Sequence, residues 1–403
     1  MKCQEPFGGK VVVLAGDMRQ CLVVVPGASR AGIVERTVNQ CPLWDHFEVM
    51  ELTRNMRVLT SGDEHLIAWD DLTTSIGNGT CGTSEVGGDV VSFPEEMCLK
   101  IEQNTAEDNN RESKSMTELI KRVFPDLKDN IKDPDWLTGR AILTPTNKAV
   151  DAINDIVVAT IPGPSQKLHS ADSVDDVRDS RGFSVEYINS LNPNGIPRHC
   201  IELKKGVPVM LLRNLQPSQG LCNGTRLIFQ SLSNNGRVLM CSYKHNGITK
   251  ETALPRIVLK PQTNEFPFDW SRRQFPLRVA FACTINKSQG QTMKRIGLWL
   301  PSPVFGHGQL YVAVSRVGDP ANITIAMKPT TDLPVNSTRN VVFKEVLMGC
   351  VAGAQTTTLV SEDSPMDSVP EFEEDEGDWP EMDDYDIIED VAGDGFLLEE
   401  YSS

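Results

Sequence analysis

No stretch of the 403 residues approaches the roughly 20 continuous apolar positions that cross a bilayer. The first apolar run, VVVLA at 11–15, passes straight into Gly16 and Asp17. The N-terminal MKCQEPFGGK has no apolar h-region, so neither secretion nor membrane insertion is expected. Metal-site spacing is missing as well. The ten cysteines, at 3, 21, 41, 81, 98, 200, 222, 241, 283 and 350, include no Cys-x-x-Cys pair, and the six histidines add no cluster. That pattern excludes a structural zinc knot and a disulfide framework. Scattered thiols suit a reducing compartment. There is no internal repeat.

Positive charge is scarce over the whole chain, with 39 Lys and Arg against 55 Asp and Glu and a formal net charge of −16. The deficit is local. Residues 362–400 hold 18 Asp and Glu and no Lys or Arg. Without them, 37 acids face 39 bases, and the body carries about +2. A balanced body with an acidic tail leaves room for a basic groove, so nucleic acid is not excluded.

What is present reads as α/β. VVVLA at 11–15 has the pattern of a buried parallel strand, a helical stretch follows around 30–40, and FEVMEL at 47–52 is a second strand candidate. Helices are expected at 64–76 and 116–124, joined by a Gly/Ser-rich connector at 77–88. RAILT then enters the turn TPTN. The next helix puts Val150, Ile153 and Val157 on one face, with Thr146 as a plausible N-cap. Residues 161–206 are polar with weak periodicity. From 207 to 282, short apolar runs alternate with Gly and Asn turns, as in a small β-barrel or sheet. A strand at 296–300, a helix near 308–317 and a strand at 322–327 close the body. The tail from 361 has the charge pattern of a disordered segment.

Four segments carry candidate chemistry. GDMRQ (16–20) follows a strand candidate; its Arg19 and Gln20 suit a phosphate or water, and equally an ordinary loop. LTRNMR (52–57) ends in Arg57, a bidentate phosphate donor or a solvated strand end. TINKSQGQT (284–292) packs hydroxyls, amides, a lysine and a glycine after an apolar strand, as a nucleic-acid contact or a polar connection. YVAVSR (311–316) presents Arg316 near a helix end. That residue either reaches a γ-phosphate or meets the helix dipole.

Their order along the chain is more telling than any one of them. GDMRQ, LTRNMR, TPTN, GVPVMLLRNL with CNGTRLIF, TINKSQGQT and YVAVSR closely resemble the C-terminal half of the Pif-type DNA helicases of superfamily one, near the RecD group. The resemblance covers about 8–328. It implies an α/β fold of tandem RecA-like P-loop NTPase domains, the first truncated, with an inserted small β-rich, SH3-like domain and a disordered acidic tail. The implied domains are 1–60, a remnant of the first RecA-like domain; 61–160, the start of the second; 161–280, the insertion; 281–360, the rest of the second; and 361–403, the tail.

The resemblance also implies roles. Arg316 would be an arginine finger, with Arg57 and Gln20 sensing the γ-phosphate. Gln289, Gly290 and Arg19 would face nucleotide. Thr144, Thr146, Asn147, Thr284, Asn286 and Lys287 would face DNA. Family members often have His where this chain has Asn286; both residues hydrogen-bond a phosphate. ATP and Mg²⁺ are the implied cofactors. Single-stranded DNA and forked duplex DNA are the implied partners, unwound with 5′-to-3′ polarity in repair, recombination and telomere maintenance, in the nucleus or mitochondrion. A basic protein is a further expected partner for the tail.

One part of the family's engine is not found. A P-loop requires G-x-x-x-x-G-K-[ST]. Gly9-Lys10 is the only Gly-Lys pair and Val11 follows it. The Asp-Glu pair that would hold Mg²⁺ is also missing, so residues 1–403 alone are expected to hydrolyse no ATP efficiently. The alternatives are a non-catalytic single-stranded DNA-binding remnant and an interaction protein acting through its tail.

Overall fold

The structure, a computed structural model, describes residues 6–348 except 26, 53–54, 57, 59–61, 82–89, 100–109, 175–182, 194, 234, 262–265 and 329–332. Arg57 and the acidic tail lie outside the described residues. No described helix is long and apolar enough to cross a membrane. The chain divides into two compact units. The smaller contains Met1–Met18, Leu22–Met56 and Phe343–Ser403; the larger contains Arg19–Cys21 and Arg57–Val342. These divisions differ from the expected boundaries at 60 and 360.

The described part of the smaller unit is held by a few side-chain contacts. Ser29 caps the short helix Arg30–Val34. The Arg30 guanidinium pairs with Glu345 at 2.6 Å and lies 4.5 Å over the Phe343 ring. The Asn39 amide donates to the Val346 carbonyl. The strands expected at 11–15 and 47–52 do not form. Both segments lack regular structure, with Val11 94% exposed and Leu52 99% exposed. A parallel strand exists only when neighbours complete its ladder and cover both faces. Among the described residues of this unit there is no strand to do so.

The larger unit is built on a four-stranded parallel sheet ordered Ala282–Thr284, Arg140–Thr144, Arg295–Leu300, Ile323–Met327. Side-chain alternation sorts its residues into two cores. Ala141, Leu143, Ile296, Leu298 and Ile325 pack with Trp69 and Ile76 of the helix Glu64–Asn78. Ile142, Trp299 and Ala326 pack with Leu119, Val150, Ile153 and Val157. Both faces are covered, which explains why these strands read as near-continuous apolar runs. Gly297 is required by one close approach, since a Cβ there would lie 2.7 Å from Val123 Cγ2. The helix Asn147–Thr160 begins at Thr146, whose hydroxyl accepts from the Ala149 amide.

A five-stranded antiparallel sheet is inserted, in the order Leu277–Val279, Pro208–Leu211, Arg226–Ser233, Val238–His245, Ile248–Pro255. It shares a core with the parallel-sheet region, since Val209, Leu211, Phe229 and Leu239 cluster with Phe124, Leu137 and Phe281. Arg226 fastens the two together. Its Nη1 donates to the Thr138 carbonyl at 2.8 Å and the Arg140 carbonyl at 3.0 Å, and its Nη2 to the Ala280 carbonyl. A smaller sheet joins Ile257–Leu259, Trp270–Gln274 and Ala171–Val174. Arg272 sits at its centre, fully buried, holding Asp172 and four backbone carbonyls.

Candidate nucleotide and nucleic-acid site

The candidate residues gather where strands of the parallel sheet end, the usual place for ligand sites in such sheets. Strands Arg140–Thr144 and Ala282–Thr284 finish side by side, Thr144 opposite Thr284. TPTN and TINKSQGQT therefore leave the sheet together. The Ile285 amide donates to the Thr144 carbonyl, which locks the two exits.

The TINKSQGQT turn is held from inside. Ser288 is fully buried and its hydroxyl donates to the Ile285 carbonyl. Gly290 has φ +75° with open space around it, and Gln289 and Gly290 are both exposed. Gln291 Nε2 donates to the Lys287 carbonyl at 3.1 Å. Asn286 Oδ1 accepts from Gln309 Nε2 at 2.9 Å. Gln309 is itself buried, and its Oε1 accepts from the amides of Phe305 and Gly306.

Arg316 closes the turn from below the short helix Gln309–Val314. Its Nη1 donates to the carbonyls of Ser288 at 3.3 Å and Gln291 at 3.1 Å, while Nε donates to the Val312 carbonyl at 2.9 Å. Nη2 donates to Ser315 Oγ. The guanidinium is buried, and one of its bonds is the helix-end contact considered from the sequence. The bonds to Ser288 and Gln291 are different: they set the tip that carries Gln289 and Gly290.

Arg19 and Gln20 reach the same helix. Gly308 precedes Gln309 with φ +71°, and a Cβ there would collide with the backbone of Arg19 and Gln20. Arg19 Nε donates to Asn78 Oδ1 at 2.7 Å, at the end of the helix Glu64–Asn78. Burial pushes the Cys21 thiol up to about 12, against the opposing pull of the Arg316 charge. Arg19, Gln20 and Arg316 thus lie around one helix despite a separation of nearly 300 positions.

The expected DNA-facing residues divide. Asn147 is exposed and its Oδ1 accepts from Arg278 Nη1 at 2.9 Å. Thr146 is spent as the helix cap. Thr144 is fully buried at the end of its strand. Its Oγ1 has no hydrogen-bond partner. Thr284 is also nearly buried. Lys287 is partly buried. Desolvation first, then the charges of Arg278 and Arg213, bring its ammonium down to about 8, with the Cys283 thiol opposing them.

Gln309, Arg278 and Arg213 were not picked out by the sequence reading. Gln309 sits directly before YVAVSR, and that adjacency was the available signal. Arg213 lies within GVPVMLLRNL, and that motif was its available signal, whereas nothing local marks Arg278, which strand pairing in the inserted sheet places.

No group of three or more His, Cys, Asp or Glu among the described residues could hold a metal ion.

Two family models match the chain. One, described as PIF1-like helicase, covers residues 1–87; the other, described as DNA helicase Pif1, 2B domain, covers 186–232. The ATP-dependent DNA helicase PIF1 of Xenopus laevis is 35% identical over 167 residues, 41% of this chain and 24% of that protein. That of Homo sapiens is 31% identical over 163 residues, 40% of this chain and 23% of that protein. The chain spans about a quarter of the length of these relatives. Among solved structures, Pif1 helicase from Candida albicans matches at a TM-score of 0.53 and 19% identity, covering 86% of this chain and 69% of that one. Pif1 helicase from Bacteroides in complex with ADP-AlF3 and ssDNA matches at 0.51 and 21%, covering 83% and 70%. At these identities the structural matches show the fold, mixed α/β with RecA-like architecture.

Proposed function

We propose, from its similarity to the Pif-type helicases of superfamily one, that the larger unit of this chain is the second motor domain and accessory insertion of an ATP-dependent DNA helicase. In this reading it binds single-stranded DNA and couples ATP hydrolysis to movement along it. Lys287 and Asn147 contact the DNA backbone. Gln289, Gly290, Gln20 and Arg316 belong to the nucleotide side, with Arg316 both setting the turn and supplying positive charge as phosphate charge develops. The observation that carries the reading is the meeting of Arg19, Gln20, TINKSQGQT and Arg316 around the helix Gln309–Val314.

Residues 1–403 contain no phosphate-cradling G-x-x-x-x-G-K-[ST] turn. Hydrolysis therefore requires a first motor half bearing one, and no step through the metal is assigned to this chain. Forked duplex DNA as substrate, 5′-to-3′ polarity and action in genome maintenance in the nucleus or mitochondrion belong to the same proposal.

Two measurements test it. Fluorescence anisotropy with an oligothymidine strand should show binding by residues 1–403 that weakens steeply with salt, because phosphate contacts release counterions. No binding even at low salt would sink the DNA reading. In a motor completed with a P-loop half, Arg316→Ala should lower ATP hydrolysis by on the order of 10³-fold. Normal hydrolysis by that variant would remove Arg316 from the nucleotide contacts.

A further inference from the structure

The positive charge beside the TINKSQGQT turn exceeds what Lys287 alone supplies. Arg278 comes from the strand Leu277–Val279 and Arg213 from the bend after Pro208–Leu211. These strands pair antiparallel with Arg278 opposite Met210, so Arg213 lies a short step beyond along the same ladder. Gln291 Nε2 donates to the Lys287 carbonyl at 3.1 Å and to the Gly224 carbonyl at 3.5 Å, and the Gly224 amide donates to the Leu211 carbonyl, two residues before Arg213, so the bend lies beside the turn. The charges of both arginines also act on the Lys287 ammonium. Arg316 meets the turn at the carbonyls of Ser288 and Gln291.

Little negative charge answers this cluster. Arg278 Nη2 pairs with Asp151 Oδ1 at 3.1 Å, and Arg198 Nε shares that carboxylate at 3.4 Å. No described carboxylate lies within 4 Å of Lys287 or Arg213. Gathering three cations in partly desolvated surroundings opposes folding, and an anion placed among them relieves both the repulsion and the lost hydration. The geometry is also set in advance. Arg278 Nη1 is held by Asn147 Oδ1 at the start of a 14-residue helix, whose first-turn amides and dipole add to the positive potential. Arginine suits phosphate because its planar fork contacts two oxygens at once.

We propose that Arg213 and Arg278 join Lys287 to seat one phosphate of a bound single strand. This rests on the DNA-binding reading above and extends it to two residues of the inserted sheet. The insertion thereby grips the strand directly, at the point where its first and last strands return to the parallel sheet.

The test is the salt dependence of oligothymidine binding by residues 1–403. Each lost single-strand phosphate contact should make the log–log slope shallower by about 0.7. Arg213→Gln is the primary variant, because the one hydrogen bond the Arg213 side chain makes is to its neighbour's carbonyl, Leu212, and no tertiary bond breaks. Arg278→Lys is the second; it keeps the charge and loses the fork. Lys244→Gln is the control, since Lys244 pairs with Asp135 ahead of the strand Arg140–Thr144. The expected result is a slope shallower by about 0.7 in Arg213→Gln, weaker binding in Arg278→Lys, and no change in Lys244→Gln. A wild type that binds with the full slope, alongside an unchanged Arg213→Gln and Arg278→Lys, overturns the phosphate seat and leaves the DNA reading standing. A wild type with no DNA affinity removes both. If inorganic phosphate protects the wild type but not Arg213→Gln from thermal unfolding while the DNA slopes stay equal, the cluster holds a free anion and the strand assignment is overturned.

Discussion

Arg272→Ala should loosen the base of the insertion more than any surface change of similar size. Arg272 is fully buried and Asp172 is 2% exposed. Arg272 Nη2 meets Asp172 Oδ2 at 2.6 Å and Nε meets both carboxylate oxygens at 3.0 Å. Its remaining hydrogens reach the carbonyls of Ile188, Asn189, Leu191 and Pro197, and its face lies 5.0 Å from the Trp270 ring. Alanine leaves Asp172 without its cation and four carbonyls without this donor. Removing one partner of such a pair costs about 3–5 kcal/mol. At about 1.4 kcal/mol per decade, local opening should become roughly 10²- to 10³-fold more frequent. Amide hydrogen exchange in 166–174 and 270–274 reads that opening directly and does not need the whole chain to unfold in one step. The paired replacement Arg272→Met with Asp172→Leu should recover part of the loss, because no charge is then stranded. Recovery should stop short of wild type, since orphaned carbonyls still cost about 1–3 kcal/mol. A single variant that exchanges within about threefold of wild type, on the order of 0.7 kcal/mol, would refute the reasoning, because the buried pair then contributes no more than an exposed one.

Two further outcomes are open to measurement. DNA affinity should fall as pH rises from 7 to 9.5. Burial, then the charges of Arg278 and Arg213, bring the Lys287 ammonium down to about 8, and a bound strand favours its protonated form. The neighbouring Cys283 thiol is pushed up by burial, so it stays neutral over most of that range. Equal affinity at both ends of the range would mean Lys287 does not touch the strand. Gly297→Ala should lower the thermal midpoint, because the added methyl lies 2.7 Å from Val123 and 3.1 Å from Leu119, and overpacking of this kind costs about 1–3 kcal/mol. An unchanged midpoint would show that the helix Asn110–Val123 yields freely.

The parallel sheet was legible from local pattern. RAILT, IGLWL and NITIAM read as strands because both faces are buried, and the helix after TPTN showed its apolar face and its Thr146 cap. The inserted sheet was half legible. Strand Ile248–Pro255 was missed because ITKETALP is a largely solvated edge with little apolar signal. The short strands within 161–206 were hidden for the same reason, and Arg272 lay in a stretch that local reading left unassigned.

The sequence by itself carried the resemblance to the Pif-type helicases and the order of its motifs, because those rest on residue types at fixed local spacing. It also placed Asn286, Lys287, Gln289 and Gly290 on one turn. Tertiary structure alone decided which of the candidates are exposed and what surrounds them. Thr144 is sealed inside a strand by its neighbours, whereas Arg213 and Arg278 are carried to Lys287 by ladder pairing. It also decided that 11–15 stays without a ladder: an apolar run can ask for a sheet, but the hydrogen bonds that make it a strand must come from other strands.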